Sequence, residues 1–100
     1  MTLQEFQASL VQRNPPERMG AILRALWFAG RGEWKKAHEV VQEEGGLEAA
    51  WVHAHLHRKE GDLDNAGYWY RRARRTMPKG SLEEEWRMIV ATFLEGEDDD

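Results

Sequence analysis

An all-α domain of about six helices follows from three features of this 100-residue chain. Apolar residues recur every three or four positions in one segment after another. No segment alternates as a strand does. Glycine or proline stands between the segments, where helices end and chains turn.

The first helix opens on Thr2-Leu3-Gln4-Glu5. In such a capping box the Thr hydroxyl and the Glu carboxylate each take a free backbone N–H. Leu3, Phe6 and Leu10 follow at helical spacing, with an end near Arg13. Asn14-Pro15-Pro16 is a break and restart, since proline is tolerated in a first helical turn. The second helix is expected from Pro15 to Ala29, with Met19, Ile22, Leu23, Leu26 and Trp27 inward. Gly30-Arg31-Gly32 ends it. The third begins near Glu33, with Trp34, Ala37, Val40 and Val41 inward, and Gly45-Gly46 ends it. The fourth, about Leu47 to Glu60, is apolar on two sides: Leu47, Ala50, Trp51 and Ala54 on one, Val52 and Leu56 on the other. Such a helix is sandwiched between neighbours. Gly61 stops it and Asp62 caps the fifth, whose inward residues are Leu63, Ala66, Trp69, Tyr70, Ala73 and Met77. Ser81-Leu82-Glu83-Glu84 is a second capping box. The last helix carries Leu82, Trp86, Ile89, Val90 and Phe93 on one stripe and fades before Gly96.

Composition bounds the function. There is no cysteine, which excludes disulfides and thiolate chemistry. The longest apolar run, Ala25 to Ala29, is far too short for a membrane span. The N-terminus lacks the basic-then-apolar pattern of a signal peptide, so a cytoplasmic location is expected. Five acids crowd the last six residues; outside them 13 of the 18 acids face 14 bases. Residues 1–95 are therefore a near-neutral domain, and 96–100 an acidic tail expected to be disordered. A near-neutral body argues against nucleic acid as partner.

A shift of 29 residues lays Ala25 on Ala54, Gly32 on Gly61 and Ala37 on Ala66. Each copy is helix, glycine turn, helix, and repeats of this length stack as hairpins. The second copy resembles a tetratricopeptide repeat: Ala54 and Ala66 stand where that motif places small residues, and Tyr70, Ala73 and Pro78 match its later aromatic, alanine and proline. In the first copy Val41 and Glu44 replace the aromatic and the later alanine. His53 and His57 stand where the motif usually has leucine and an aromatic. The resemblance implies antiparallel hairpins in a right-handed stack, with the terminal helices capping its ends. The segment Trp51, His53-Ala54, Leu56-His57-Arg58, Glu60-Gly61-Asp62, Asn65-Ala66, Tyr68-Trp69-Tyr70 and Arg72-Ala73 also resembles one carried by a group of short, mostly bacterial, uncharacterised proteins. That likeness implies no activity.

His53 and His57 are four apart on one side of a helix, with Glu60 three further on. Histidines at this spacing can share a metal ion, with Glu60 as third ligand or His38 approaching from the neighbouring hairpin. The competing reading bonds the imidazoles to Asp62, Asn65 or a tyrosine hydroxyl, and no metal or other cofactor is then required. Gly61-Asp62 is too short for a phosphate loop and lacks its lysine. Arg72 and Arg75 follow Tyr68 by four and seven residues, one outward stripe expected to pair with Glu60, Asp62 and Asp64. Trp69 stands at the edge of its apolar stripe, partly exposed. Serine occurs only at positions 9 and 81, and no catalytic triad or carboxylate pair stands out, so an enzyme is not expected. The leading expectation is a small interaction module for a protein or peptide, with His53, His57, Glu60, Trp69, Tyr70 and Arg72 as contact residues and self-association as a further option. The alternative is a small-ligand or metal-binding protein centred on His53, His57 and Glu60.

Overall fold

The computed structural model describes residues 1–97, and these form six α-helices: α1 Leu3–Ser9, α2 Ala21–Gly30, α3 Trp34–Gln42, α4 Gly46–Lys59, α5 Leu63–Arg72 and α6 Leu82–Glu97. No strand occurs among the described residues. No described helix is long and apolar enough to cross a membrane. α2–α3 and α4–α5 are antiparallel hairpins, and α3 packs on α4 to stack one upon the other.

α4 is the axis of the molecule. It touches α2, α3, α5 and α6, and every residue from Ala49 to His57 is buried. The two-sided apolar pattern needs this sandwich, because neither stripe can be left in water. Ala54 and Ala66 are fully buried between α4 and α5, the most extensively packed pair. Small side chains there let the backbones approach. Ala54→Leu and Ala66→Leu should each overpack the contact and cost about 1–3 kcal/mol. Urea unfolding checks this; neutral substitutions would mean the helices are not held together at these positions.

The terminal helices do not sit at opposite ends of the stack. α6 lies across α2 and α4, and α1 rests on α6. Tryptophans fasten these elements. Trp27 Nε1 donates to Ser9 Oγ (3.1 Å), Trp86 Nε1 to the Leu26 carbonyl (2.9 Å) and Trp34 Nε1 to the Leu56 carbonyl (2.6 Å). Each ring, buried in Trp27 and Trp86 and half-buried in Trp34, thus keeps its one polar atom satisfied.

Several boundaries differ from the sequence reading. α1 stops at Ser9, and α2 begins six residues after Pro15, at Ala21 with Gly20 as its cap. Arg18 between them takes a positive φ of 65°, which no helix accommodates. α5 ends at Arg72, short of Met77, because Arg74 turns left-handed (φ 59°) and the Arg75 N–H closes back on the Tyr70 carbonyl. Leu63 and Leu47, expected inward, are exposed. Both capping boxes are present. α6 runs through Gly96 to Glu97, and the rest of the expected acidic tail, residues 98–100, lies outside the described residues.

Candidate metal centre

The hairpin stack brings three histidines from two hairpins together. His53 and His57 lie one turn apart on α4, and their rings stack with centroids 5.0 Å apart. His38 reaches them from α3, with its Nε2 3.0 Å from His53 Nε2. One potential ligand nitrogen from each of the three falls within 4.8 Å of the others. His53 and His57 are buried and His38 is half-buried.

Two tryptophans wall the cluster. Trp34 stacks on His38, with centroids 4.8 Å apart and planes 10° apart. Trp69 of α5 stacks on His53 at 3.8 Å and 9°. α3 presents Trp34 and His38 on one face because they are four apart, and its packing on α4 aims that face at His53 and His57.

Glu60, just past α4, accepts from His57 Nδ1 at 2.6 Å. In the neutral imidazole that bond leaves Nε2 with the lone pair. A carboxylate holding the outer nitrogen is the usual way a ligating histidine is oriented and made more basic. Asn65 Nδ2 sits 3.5 Å from both nitrogens of the same ring. Glu60 and Asp62 also come near His57 as a possible ligand group, but both are exposed, and Asp62 is engaged in capping α5 through the Asn65 N–H.

Burial first, then the neighbouring His38 and His57 rings, push the His53 imidazole down to about 4. Burial and His57 also lower His38, against the opposite pull of Glu60 and Glu39. At neutral pH His53 is therefore uncharged, as a metal ligand must be. The 3.0 Å separation of the two Nε2 atoms is close to the roughly 3.3 Å that tetrahedral Zn–N bonds impose on adjacent donors.

The other residues named from the sequence divide. Trp69 is partly exposed, as its place at the stripe's edge implied. Arg72 is exposed, its guanidinium lying over the Trp69 and Tyr68 rings (5.3 and 5.7 Å) and donating to Tyr68 Oη at 3.1 Å. Tyr70 does not join the cluster: its hydroxyl donates to Glu85 at 2.6 Å. The expected arginine stripe is broken where α5 ends, and Arg75 lies instead 3.4 Å over the Trp51 ring. Among the described residues, none of Arg71, Arg72, Arg74 and Arg75 forms an ion pair with Glu60, Asp62 or Asp64.

A second polar group was not visible in the sequence. His55, on another side of α4, donates from Nδ1 to Glu85 of α6 at 2.7 Å. Arg58 donates to the same carboxylate oxygen at 3.1 Å and to the Gly80 carbonyl. With Tyr70, three side chains surround one buried carboxylate. Glu85 had the pattern of an ordinary first-turn surface acid, and its partners lie fifteen to thirty residues away. Compared with known protein families, curated proteins and solved structures, the chain matches none.

Proposed function

We propose that this protein binds a divalent transition metal through His38, His53 and His57. The observation that carries the reading is the convergence of three imidazoles from two hairpins, with two Nε2 atoms 3.0 Å apart. Imidazole donors without thiolate suit zinc, nickel, cobalt or copper rather than the hard, oxygen-seeking cations. Glu60 is the orienting carboxylate behind His57. It takes this outer place in preference to the third-ligand place. Three histidines leave a fourth position for water or a bound molecule, an open site in the manner of catalytic zinc. Trp34 and Trp69 shield the imidazoles, while half-buried His38 supplies the way in.

The tetratricopeptide-like, right-handed form of the stack belongs to the same proposal. Ala25, Ala37, Ala54 and Ala66, all fully buried, support it as close-approach positions. A contact role for Trp69 and Arg72 is compatible with a metal behind them. His53, His57 and Tyr70 are each less than a tenth exposed and offer little surface to a macromolecular partner.

The test is calorimetric titration of zinc, nickel and cobalt into metal-free protein. One equivalent should bind, and His38→Ala should abolish tight binding while leaving a helical, folded protein. If none of the three metals binds, or if His38→Ala binds them as well as the parent, the reading fails.

A further inference from the structure

Three helices end on the same turn, and one of the three holds the wrong residue for it. α2 and α4 each close with a pair of backbone bonds around a left-handed glycine, Gly32 and Gly61. α5 closes with the same pair, from the Arg74 N–H to the Arg71 carbonyl and from the Arg75 N–H to the Tyr70 carbonyl. Its left-handed residue is Arg74, at φ 59°. This position favours glycine because a Cβ is crowded there. The fold alone would place glycine at 74, so the arginine side chain points to a use outside the fold.

Arg74 lines a cavity of about 360 Å³ bounded by this turn, α4 and α6. Arg75 lines it too, with its guanidinium 3.4 Å over the Trp51 ring. A guanidinium held by its face keeps its N–H edges free, and those edges grip an oxyanion in pairs. Neither arginine has an acidic partner among the described residues. Thr76 adds a hydroxyl to the lining. Pro78 and Met88 add an apolar wall, and Met88 is 52% exposed. Glu85 also borders the cavity, but its oxygens are occupied by His55 and Arg58 on one side and Tyr70 on the other. Glu48 shares an adjoining cavity with Arg75 without pairing to it.

We propose that this cavity binds a small organic oxyanion, a carboxylate or a phosphate carried on an aliphatic body. Arg74 and Arg75 hold the oxyanion, Thr76 donates to it, and the aliphatic body packs on Met88 and Pro78. Trp51 is 4% exposed with Arg75 on its face, so it steadies the arginine and offers no platform for a ring of the ligand. The site does not depend on the metal. Trp51 is two residues before His53, about 200° around α4.

Amide NMR titrations with hexanoate and butyl phosphate test this, with acetate and inorganic phosphate as the bare headgroups. Hexanoate or butyl phosphate should shift the Arg74, Arg75 and Thr76 amides saturably, and the tighter of the two identifies the oxyanion. Its bare headgroup should bind severalfold more weakly, for want of the apolar contact. Arg74→Gly should lower affinity about tenfold or more, the loss of a charge-assisted contact. The same variant should unfold at higher urea than the parent, because glycine suits the turn. Arg75→Gln should weaken binding to a similar degree. No saturable shift with either aliphatic anion overturns the site, as does a bare headgroup that binds equally well. An Arg74→Gly protein that keeps the parent's affinity overturns it too, since the arginine then serves no ligand.

Discussion

Zinc added to the metal-free protein should raise its melting temperature steeply. A ligand that binds only the folded state contributes about 4 kcal/mol when it stands a thousandfold above its Kd. For a domain of this size each kcal/mol is worth roughly 4–8 °C. Three imidazoles brought from α3 and α4 do not form a site in the unfolded chain, so binding and folding are linked. Removing any one of His38, His53 and His57 should abolish most of the rise. His38→Ala is the cleanest case, because this ring is half-buried and its loss disturbs the core least. Glu60→Gln keeps the three ligands but weakens the hold on His57 Nδ1, and should lower affinity about 10–100-fold. Scanning calorimetry with and without metal reads all of these. Protons compete little at His53, whose imidazole is pushed down to about 4.

Glu85→Ala should be among the most damaging single substitutions in the molecule, at about 3–5 kcal/mol. The Glu85 side chain is 2% exposed and accepts from His55, Arg58 and Tyr70. Burial alone would raise its pKa; the bonds from His55, Tyr70 and Arg58 outweigh burial and hold the carboxyl below its ordinary value. Burial, then the bond to Glu85, pushes the Tyr70 phenol far up, which keeps its proton available for donation. Removing the carboxylate leaves a guanidinium, an imidazole and a hydroxyl without their partner. Tyr70→Phe deletes one donor to a charged group and should cost about 1.5–3 kcal/mol. The pH dependence has a definite sign. A carboxyl whose pKa is lower folded than unfolded contributes above the ordinary value of 4.5, and the contribution is lost as pH falls through the folded value. The gap in urea stability between the parent and Glu85→Gln should therefore be full at pH 7 and shrink below about pH 4.5. A gap that is constant with pH would mean the charge of Glu85 is not what holds the network.

The hairpins were legible because their turns use glycine and their small residues repeat at a fixed interval. The end of α5 was not: Arg74 takes the left-handed conformation with no glycine to mark it, in a run of arginines that favours helix. The start of α2 was missed for a related reason, since Pro15-Pro16 resembles a first helical turn and the positive φ at Arg18 leaves no trace in composition. At the candidate centre, the spacing of His53 and His57 is a local property and could be read directly. The contribution of His38 depends on how α3 packs on α4, so it stood only as one of two possible third ligands. The pairing of His55 with Glu85 depends on α6 crossing α4, a contact between elements thirty residues apart in sequence. No periodicity within either helix encodes it.

The most direct test of the central claim is anomalous X-ray diffraction at the zinc edge from crystals of the zinc-loaded protein. The account predicts one strong peak at bonding distance from a ring nitrogen of each of His38, His53 and His57, with Glu60 still on His57 Nδ1. A zinc-loaded crystal with no peak among these three rings, or a peak bound only by surface carboxylates, would contradict it.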